Sequence, residues 1–197
     1  MNVLILCDRD SESFCGCDLS VMAESAVTEA GGKAKIVQLR GEEINHCIGC
    51  FNCWVKTPGI CIQTGDSANS FAAQEIQSDA VIFLSKITWG CYSYDIKSFL
   101  DRSIPNIMPF FEIAGGDMRH KMRYKKFPYI ISIGYGGNSA REKSIFANLT
   151  RHNSLNFRPP KHFVFNIDSC GETADAVKAG AAAMESLKKV LKNEVLI

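Results

Sequence analysis

Residues 3–7 read VLILC, a continuous apolar run of strand length. Such a run is typical of a β-strand that is buried on both faces, as in a parallel sheet. Four more runs of this kind follow along the chain: AKIVQL (34–39), AVIFL (80–84), PYIISIG (128–134) and HFVFNI (162–167). The pattern predicts five strands of one sheet.

Helical periodicity fills the intervals between these runs. Apolar side chains recur at three- and four-residue steps over 19–30, 71–76, 96–103, 139–152 and 177–191. Strands that alternate with helices predict a three-layer α/β fold around a five-stranded parallel sheet. Five such units in 197 residues suit the flavodoxin-like strand order 2-1-3-4-5. We expect one domain over residues 1–197, with a cysteine-rich loop at 46–61 and an excursion at 105–127 that serves as a lid or a partner contact.

Composition narrows the range of functions. Charged residues make up 22% of the chain and the net charge is +1, which argues against a nucleic-acid-binding protein. No apolar run approaches the roughly 20 residues that span a bilayer, so we expect no membrane association. The first residues lack the basic and small-residue features of a secretion signal. We therefore expect a cytoplasmic protein whose nine cysteines are reduced or bind metal.

Three loops are expected at the carboxyl ends of the strands, where open α/β sheets bind ligands. They read DRDSESF (8–14), SKITWGCYSYD (85–95) and GYGGNS (134–139). Trp89 and Tyr92 offer flat faces for an aromatic ligand, and Gly90 permits its close approach. The glycines of the third loop expose backbone N–H groups. The alternative for both loops is structural, with the aromatic side chains packed under the sheet edge and the glycines in a tight turn.

The stretch SKITWGCYSYDIKSFLDRS (85–103) resembles a segment of the NAD(P)H-dependent FMN reductase family, which includes the iron–sulfur flavoproteins. HCIGCFNCWVKTPGIC (46–61) and GGDMRHKMRYKKFPY (115–129) resemble the same family, in the same order. The resemblance implies a flavodoxin-like fold, non-covalent FMN and a homodimer or homotetramer. It also implies electron transfer from NAD(P)H through the flavin to a small-molecule acceptor such as a quinone or a free flavin.

The resemblance also implies a set of FMN-binding residues. Those along the isoalloxazine ring would be Thr88, Trp89, Gly90 and Tyr92, and those at its other polar edge Gly134, Tyr135, Gly136 and Gly137. The first loop does not match the family pattern, but by their own chemistry Ser11 and Ser13 could donate hydrogen bonds to the phosphate and Arg9 could pair with it. Asp8, Asp10 and Glu12 place three carboxylates where the phosphate dianion should lie. For Lys97, Asp101 and Arg102 on the next helix we expect structural ion pairs.

Four cysteines lie close together in the sequence. Cys47, Cys50, Cys53 and Cys61 have the spacing C-x2-C-x2-C-x7-C. Structural zinc sites usually have two pairs of cysteines separated by a dozen or more residues, whereas a compact run is typical of iron–sulfur ligation. The iron–sulfur flavoproteins have a similar motif that binds a 4Fe–4S cluster. The alternatives are thiols that only pack the loop, a zinc site or a redox disulfide.

Three functional hypotheses follow. The first is an FMN-dependent oxidoreductase in which the flavin, rather than a protein acid or base, carries the chemistry. The second is an iron–sulfur flavoprotein that carries electrons and receives them from a ferredoxin. The third is a non-catalytic flavodoxin-like binding module, which the acidic first loop favours.

Overall fold

The fold is described by a computed structural model that covers residues 1–40, 43–137, 139–168 and 173–195. Its strands are β1 (Asn2–Asp8), β2 (Lys33–Leu39), β3 (Ala80–Ile87), β4 (Ile107–Ala114), β5 (Asp117–Met122), β6 (Tyr129–Gly136) and β7 (His162–Ile167). Its α-helices are α1 (Leu19–Glu29), α2 (Asn52–Val55), α3 (Ala68–Gln77), α4 (Tyr94–Arg102), α5 (Ala140–Phe157) and α6 (Thr173–Val190).

Five of the described strands form a parallel sheet in the order β2-β1-β3-β6-β7. Numbered among themselves, these strands have the order 2-1-3-4-5, so the predicted flavodoxin-like topology is confirmed. The strands are parallel because a helix returns the chain over the sheet between each pair.

Both faces of the sheet are buried, as the apolar runs predict. Along β1 the side chains of Val3 and Ile5 enter one core with α1 and α6. Leu4 and Leu6 enter a second core on the opposite face, with α3, α4 and α5. Successive strand residues point to opposite faces, so a run without polar residues supplies both cores at once.

The excursion at 105–127 contains an antiparallel hairpin of β4 and β5. Gly115 and Gly116 form its turn, both with positive φ, which suits the tight hairpin turns that glycine favours. Apolar side chains of the hairpin are more than half exposed: Phe110, Phe111, Ile113 and Met118. A lid or partner contact remains our prediction for this segment.

Candidate functional site

A cleft of about 640 Å³ opens at the carboxyl ends of β1, β3 and β6, where ligands of such sheets bind. Its volume is within the usual range for small-molecule sites. The lining residues come from all three predicted loops and from the first turn of α5: Asp8, Arg9, Asp10, Phe14, Lys86, Ile87, Thr88, Trp89, Ser93, Tyr94, Asp95, Gly136, Gly137 and Glu142. The predicted position of the site at this edge of the sheet therefore coincides with a cleft large enough for a ligand.

One wall of the cleft is a tight turn between β3 and α4. Thr88 and Cys91 pair through two backbone hydrogen bonds, of 3.0 and 2.8 Å. The two residues between them, Trp89 and Gly90, both have positive φ, which a type I′ turn requires. Gly90 is needed here for a second reason, because a Cβ would lie 2.7 Å from Ile145 Cγ2.

The turn presents the indole of Trp89 to solvent at the cleft, where the residue is 86% exposed. Positive φ is uncommon for a large side chain and occurs mainly where the surrounding structure enforces it, often at functional sites. Tyr94, at the start of α4, lines the same cleft and is 54% exposed. The backbone of Gly136 and Gly137, both with positive φ, also lines the cleft. The cleft is therefore lined by exposed aromatic side chains and by a stretch of backbone without side chains.

A buried carboxyl group forms part of the cleft lining. Asp8 is 1% exposed and accepts hydrogen bonds from the Tyr135 hydroxyl and, at 2.7 Å, from the Lys86 backbone N–H. Burial raises the pKa of Asp8, and hydrogen bonds from Ser93, Tyr135 and Lys86 oppose that rise. The polar interior of the cleft is therefore a carboxyl group that the surrounding donors hold in place.

The first loop is not an open phosphate-binding loop. Arg9–Ser13 form a short 3-10 helix, and the ring of Phe14 packs edge-on against Tyr135 with centroids 4.9 Å apart. The helix α1 begins only at Leu19, where the Asp18 carboxylate accepts hydrogen bonds from the backbone N–H groups of Ser20 and Val21. The donors of this helix N-terminus are thus occupied by the chain's own carboxylate.

The predicted site residues fall into two groups. Arg9, Thr88, Trp89, Gly136 and Gly137 line the cleft. The others lie beneath it or outside it: Ser11, Ser13, Gly90, Tyr92, Gly134 and Tyr135.

The residues outside the cleft have structural contacts of their own. Ser11 is buried and its hydroxyl donates to the Asp8 carbonyl oxygen at 2.7 Å. Tyr92 is 5% exposed and packs edge-on against Phe146. Gly134 is enclosed, since a Cβ would lie 2.7 Å from Phe146 Cε1. Ser13 is exposed and is not among the cleft residues.

Several residues of the cleft were absent from the predicted set, among them Lys86, Ser93, Tyr94, Asp95 and Glu142. The sequence holds a signal for Lys86 and Asp95. Lys86 follows an apolar strand run and Asp95 lies at the start of the next helix, and polar residues at these positions belong to the ligand edge of the sheet. Asn138, in the third loop, and Cys170 lie outside the described residues.

The four cysteines of the 46–61 segment line one small cavity of about 30 Å³. Cys47 and Cys50 are exposed, whereas Cys53 and Cys61 are buried. The pKa of the Cys53 thiol is raised, first by burial and then by the proximity of the other three thiols. The four cysteines of this segment are free thiols. Among the described side chains, no three metal-binding groups stand at the spacing that would hold a metal ion.

The cysteine segment is held by contacts to the rest of the fold. Trp54 donates its indole N–H to the Ile107 carbonyl oxygen at 3.0 Å, and its ring stacks on Phe51. A further cavity of about 260 Å³ shares Cys47 with the cysteine cavity and Tyr94 with the large cleft. His46 lies at this junction, with its Nε2 3.4 Å from the Tyr94 hydroxyl. The cysteine segment thus adjoins the cleft.

The expected structural role of the three charged residues on α4 agrees with their contacts. Lys97 and Asp101 form an exposed ion pair one helical turn apart. Arg102 pairs instead with the buried Asp66 at 2.7 Å.

Among the described helices, none is long and apolar enough to cross a membrane.

Comparison with solved structures places the chain in a structural class. The NAD(P)H:quinone oxidoreductase of Methanothermobacter marburgensis aligns over 98% of this chain and 97% of its own, with a TM-score of 0.67 and 14% identity. The azoreductase AzrA aligns over 98% and 99%, with a TM-score of 0.68 and 15% identity. An FMN-dependent NADH-azoreductase of Bacillus anthracis, solved in complex with FMN, aligns over 98% and 100%, with a TM-score of 0.63 and 9% identity. The chain has the flavodoxin-like fold that these proteins share.

Sequence comparison finds curated proteins that resemble part of the chain. An iron–sulfur flavoprotein of Archaeoglobus fulgidus is 33% identical over 89 residues, which is 44% of this chain and 39% of that protein. An iron–sulfur flavoprotein of Methanocaldococcus jannaschii is 31% identical over 83 residues, 42% of each chain. The match therefore spans about two fifths of the length of these curated relatives. No family model matches the chain.

The cleft fits the ring of FMN better than it fits the phosphate. The exposed rings of Trp89 and Tyr94 and the side-chain-free backbone of Gly136 and Gly137 line the same cleft and suit a flat, largely apolar ring. The first loop does not suit a phosphate, because its helix N-terminus is occupied by Asp18 and the Ser11 hydroxyl donates to the Asp8 carbonyl oxygen. The residues fit a flavin ring, and they do not fit the phosphate group of FMN.

Proposed function

We propose that this protein is a flavin-dependent oxidoreductase that passes electrons from NAD(P)H to a small-molecule acceptor such as a quinone. Two kinds of similarity support the proposal. The proteins that share its fold include an NAD(P)H:quinone oxidoreductase and azoreductases. Two proteins that resemble its sequence over about two fifths of the chain are iron–sulfur flavoproteins. FMN is the flavin that the family resemblance implies, and a homodimer or homotetramer is its implied assembly.

The observation that carries the proposal is the exposed Trp89 at the ligand edge of the sheet. A tryptophan that is 86% exposed and held in a left-handed turn has no packing role within the described chain. Its indole borders a cleft that Gly136 and Gly137 line with backbone alone. A planar ring system can stack on the indole and approach that backbone closely.

The residues of the chain would bind and orient the ring rather than transfer protons. Trp89 would cover part of one face, and Gly136 and Gly137 would let the ring edge approach backbone N–H groups. Asp8 is held by Tyr135 and Lys86 at the cleft lining. A bound flavin supplies the two-electron redox chemistry, so the proposal requires no catalytic acid or base from the protein.

An anaerobic absorption spectrum of the purified protein tests this proposal. We expect a bound flavin whose absorption NADH or NADPH bleaches much faster than that of the same flavin free in solution. Flavin that binds but is not bleached by either nucleotide would favour the non-catalytic binding module instead. Protein that is colourless and binds no added flavin would contradict the oxidoreductase function.

A second function is supported by a separate observation. The four cysteines of the 46–61 segment line one cavity, and two of them are exposed thiols that do not pack a core. We propose that these cysteines hold an iron–sulfur cluster in an electron carrier fed by a ferredoxin. The cavity of about 30 Å³ has about the volume of one water molecule. Cluster binding would therefore displace the exposed part of the segment, around Ile48 and Gly49.

Iron and sulfide analysis after anaerobic purification tests this second function. We expect about four of each per chain, the ratio of a cubane cluster. Cys50→Ala should remove the iron, whereas Cys17→Ala, outside the segment, should leave it. Iron content that is unchanged by Cys50→Ala would refute the cluster and leave the cysteines as free thiols.

A further inference from the structure

We propose that the cleft selects a flavin without a phosphate, such as riboflavin, and discriminates against FMN. The inference rests on the proposed function in one respect only, that a flavin ring occupies the cleft. It then concerns the tail of that flavin. Four features of the charged groups around the cleft support it.

The first feature is the balance of charge in the cleft lining. Carboxyl groups outnumber cations there by four to two: Asp8, Asp10, Asp95 and Glu142 against Arg9 and Lys86. A site that binds a phosphate dianion normally has an excess of positive charge or of free backbone N–H groups. This cleft has the opposite excess.

The second feature is that both cations already have carboxylate partners. Arg9 makes a two-point contact with Asp95, with its Nε at 2.9 Å and its Nη2 at 2.8 Å from the two carboxylate oxygens. Lys86 Nζ lies 2.7 Å from Asp10 Oδ2. A phosphate would have to displace a carboxylate from a cation and would then lie beside the displaced carboxylate.

The third feature is that acidic residues occupy the helix N-termini at this edge of the sheet. Asp18 caps α1 with two hydrogen bonds from backbone N–H groups. Asp95 lies in the first turn of α4, and Glu142 lies in the first turn of α5. Helix N-termini are the usual phosphate-binding elements of α/β folds, because they combine free N–H groups with the positive end of the helix dipole. Here all three carry a carboxylate of the chain.

The fourth feature is the structure of the loop after β1. Its residues Arg9–Ser13 form a 3-10 helix, and the first backbone N–H of that helix, on Arg9, donates to the Asp95 carboxylate at 3.2 Å. The Ser11 hydroxyl is buried and donates to the Asp8 carbonyl oxygen. The ring of a flavin and its uncharged ribityl hydroxyls face no such conflict, since neutral hydroxyls can donate to the carboxylates that repel a phosphate.

Equilibrium titration with riboflavin and with FMN tests the inference on the wild-type protein, with flavin fluorescence as the signal. We expect riboflavin to bind at least about tenfold more tightly than FMN at low ionic strength. Added salt should strengthen FMN binding and leave riboflavin binding unchanged, because salt screens repulsion. A conventional phosphate site shows the opposite salt response, since salt weakens attraction.

The possible results separate the two proposals. Riboflavin that binds more tightly than FMN, with FMN binding improved by salt, supports the inference. FMN that binds as tightly as riboflavin, or more tightly, overturns the inference and leaves the flavin-dependent function standing. Failure of both flavins to bind overturns the flavin assignment itself.

Two matched variants test the charge argument. Asp10→Asn removes a cleft carboxylate that is half exposed and leaves Lys86 without its partner. We expect FMN to bind at least about fivefold more tightly to this variant, with riboflavin affinity within about twofold of wild type. Glu12→Gln makes the same change in charge on the same 3-10 helix, at an exposed position outside the cleft lining. It should change neither affinity. An Asp10→Asn protein with the wild-type ratio of affinities would overturn the inference.

Discussion

The buried guanidinium of Arg102, on α4, binds residues on both sides of the cysteine segment. Its Nη1 donates to the Asn45 carbonyl oxygen at 2.6 Å and to Asp66 at 2.7 Å, and its Nη2 donates to the Gln63 carbonyl oxygen at 3.0 Å. The side chains of Arg102 and Asp66 are 0% and 3% exposed. Burial acts to raise the pKa of Asp66, but hydrogen bonds from Arg102 and from backbone N–H groups outweigh it and lower that pKa. The pair is therefore charged and enclosed.

Substitution of Arg102 by methionine should be strongly destabilising. The variant keeps an unbranched apolar side chain in place of the arginine stem, but it removes the guanidinium and leaves the Asp66 carboxylate enclosed without its cation. Removal of one partner from a buried ion pair typically costs about 3–5 kcal/mol of unfolding free energy. The control is Lys97→Met on the same helix, which breaks the exposed pair with Asp101. An exposed pair at this spacing contributes only about 0.3–0.5 kcal/mol.

Urea denaturation at neutral pH measures both variants. We expect Arg102→Met to lose several times more unfolding free energy than Lys97→Met. Addition of Asp66→Asn to Arg102→Met should restore part of the loss, because the second change removes the unpaired charge. The loosened segment should also expose the buried thiols of Cys53 and Cys61 to a thiol reagent. Equal stability of the two single variants would refute the assigned role of Arg102.

Three more perturbations have definite expected results. Burial raises the pKa of Glu75 from 4.5 to about 8. The native state therefore keeps a proton that the unfolded state loses, and unfolding free energy should fall by about 5 kcal/mol as the pH rises through this interval. Glu75→Gln should flatten that dependence in urea titrations at several pH values, and an unchanged slope would contradict it. Gly134→Ala should cost about 1–3 kcal/mol, because its Cβ would lie 2.7 Å from Phe146 Cε1 and 2.9 Å from Ile87 Cδ1; wild-type stability in the same assay would contradict the close packing. Tyr135→Phe removes a hydrogen bond that lowers the pKa of Asp8, so its loss of stability, about 1–3 kcal/mol, should grow as the pH rises. A loss that is independent of pH would argue against this link.

The sheet was predictable because its three central strands are buried on both faces. An apolar run such as AVIFL has few other stable positions in a protein. Four of the five predicted strands lie within those observed, and the prediction 128–134 begins one residue before β6. The strand β3 continues to Ile87, past the predicted end, through Ser85 and Lys86. The strand becomes polar where it approaches the ligand edge of the sheet. The length of an apolar run therefore does not show where the strand ends.

The hairpin shows a signal that periodicity alone did not reveal. Gly115 and Gly116 stand between two short extended runs, and such a pair is a recognised hairpin turn. The basic residues of β5 mask its strand character, because strand propensity depends on which face of the strand is buried. The prediction of an excursion therefore came from its length.

The candidate site was predictable where a turn fixes it and unpredictable where side chains choose partners. The positions of Trp89 and the glycine pair follow from the loop order of the sheet. Whether Tyr92 or Tyr94 lines the cleft depends on the direction in which the chain runs from the Trp89–Gly90 turn into α4. Residue types alone do not determine that direction. The pairing of Arg9 with Asp95 joins residues 86 positions apart, so the sequence alone could not show that this cation is engaged.

The most direct test of the central claim is a riboflavin titration of three proteins: wild type, Trp89→Ala and Trp54→Phe. The claim is that the cleft binds a flavin ring against Trp89. It predicts saturable binding at one site per chain, weakened about fivefold to tenfold by Trp89→Ala and unchanged by Trp54→Phe, whose indole lies at the cysteine segment. Absence of saturable binding, or equal affinity in all three proteins, would contradict it.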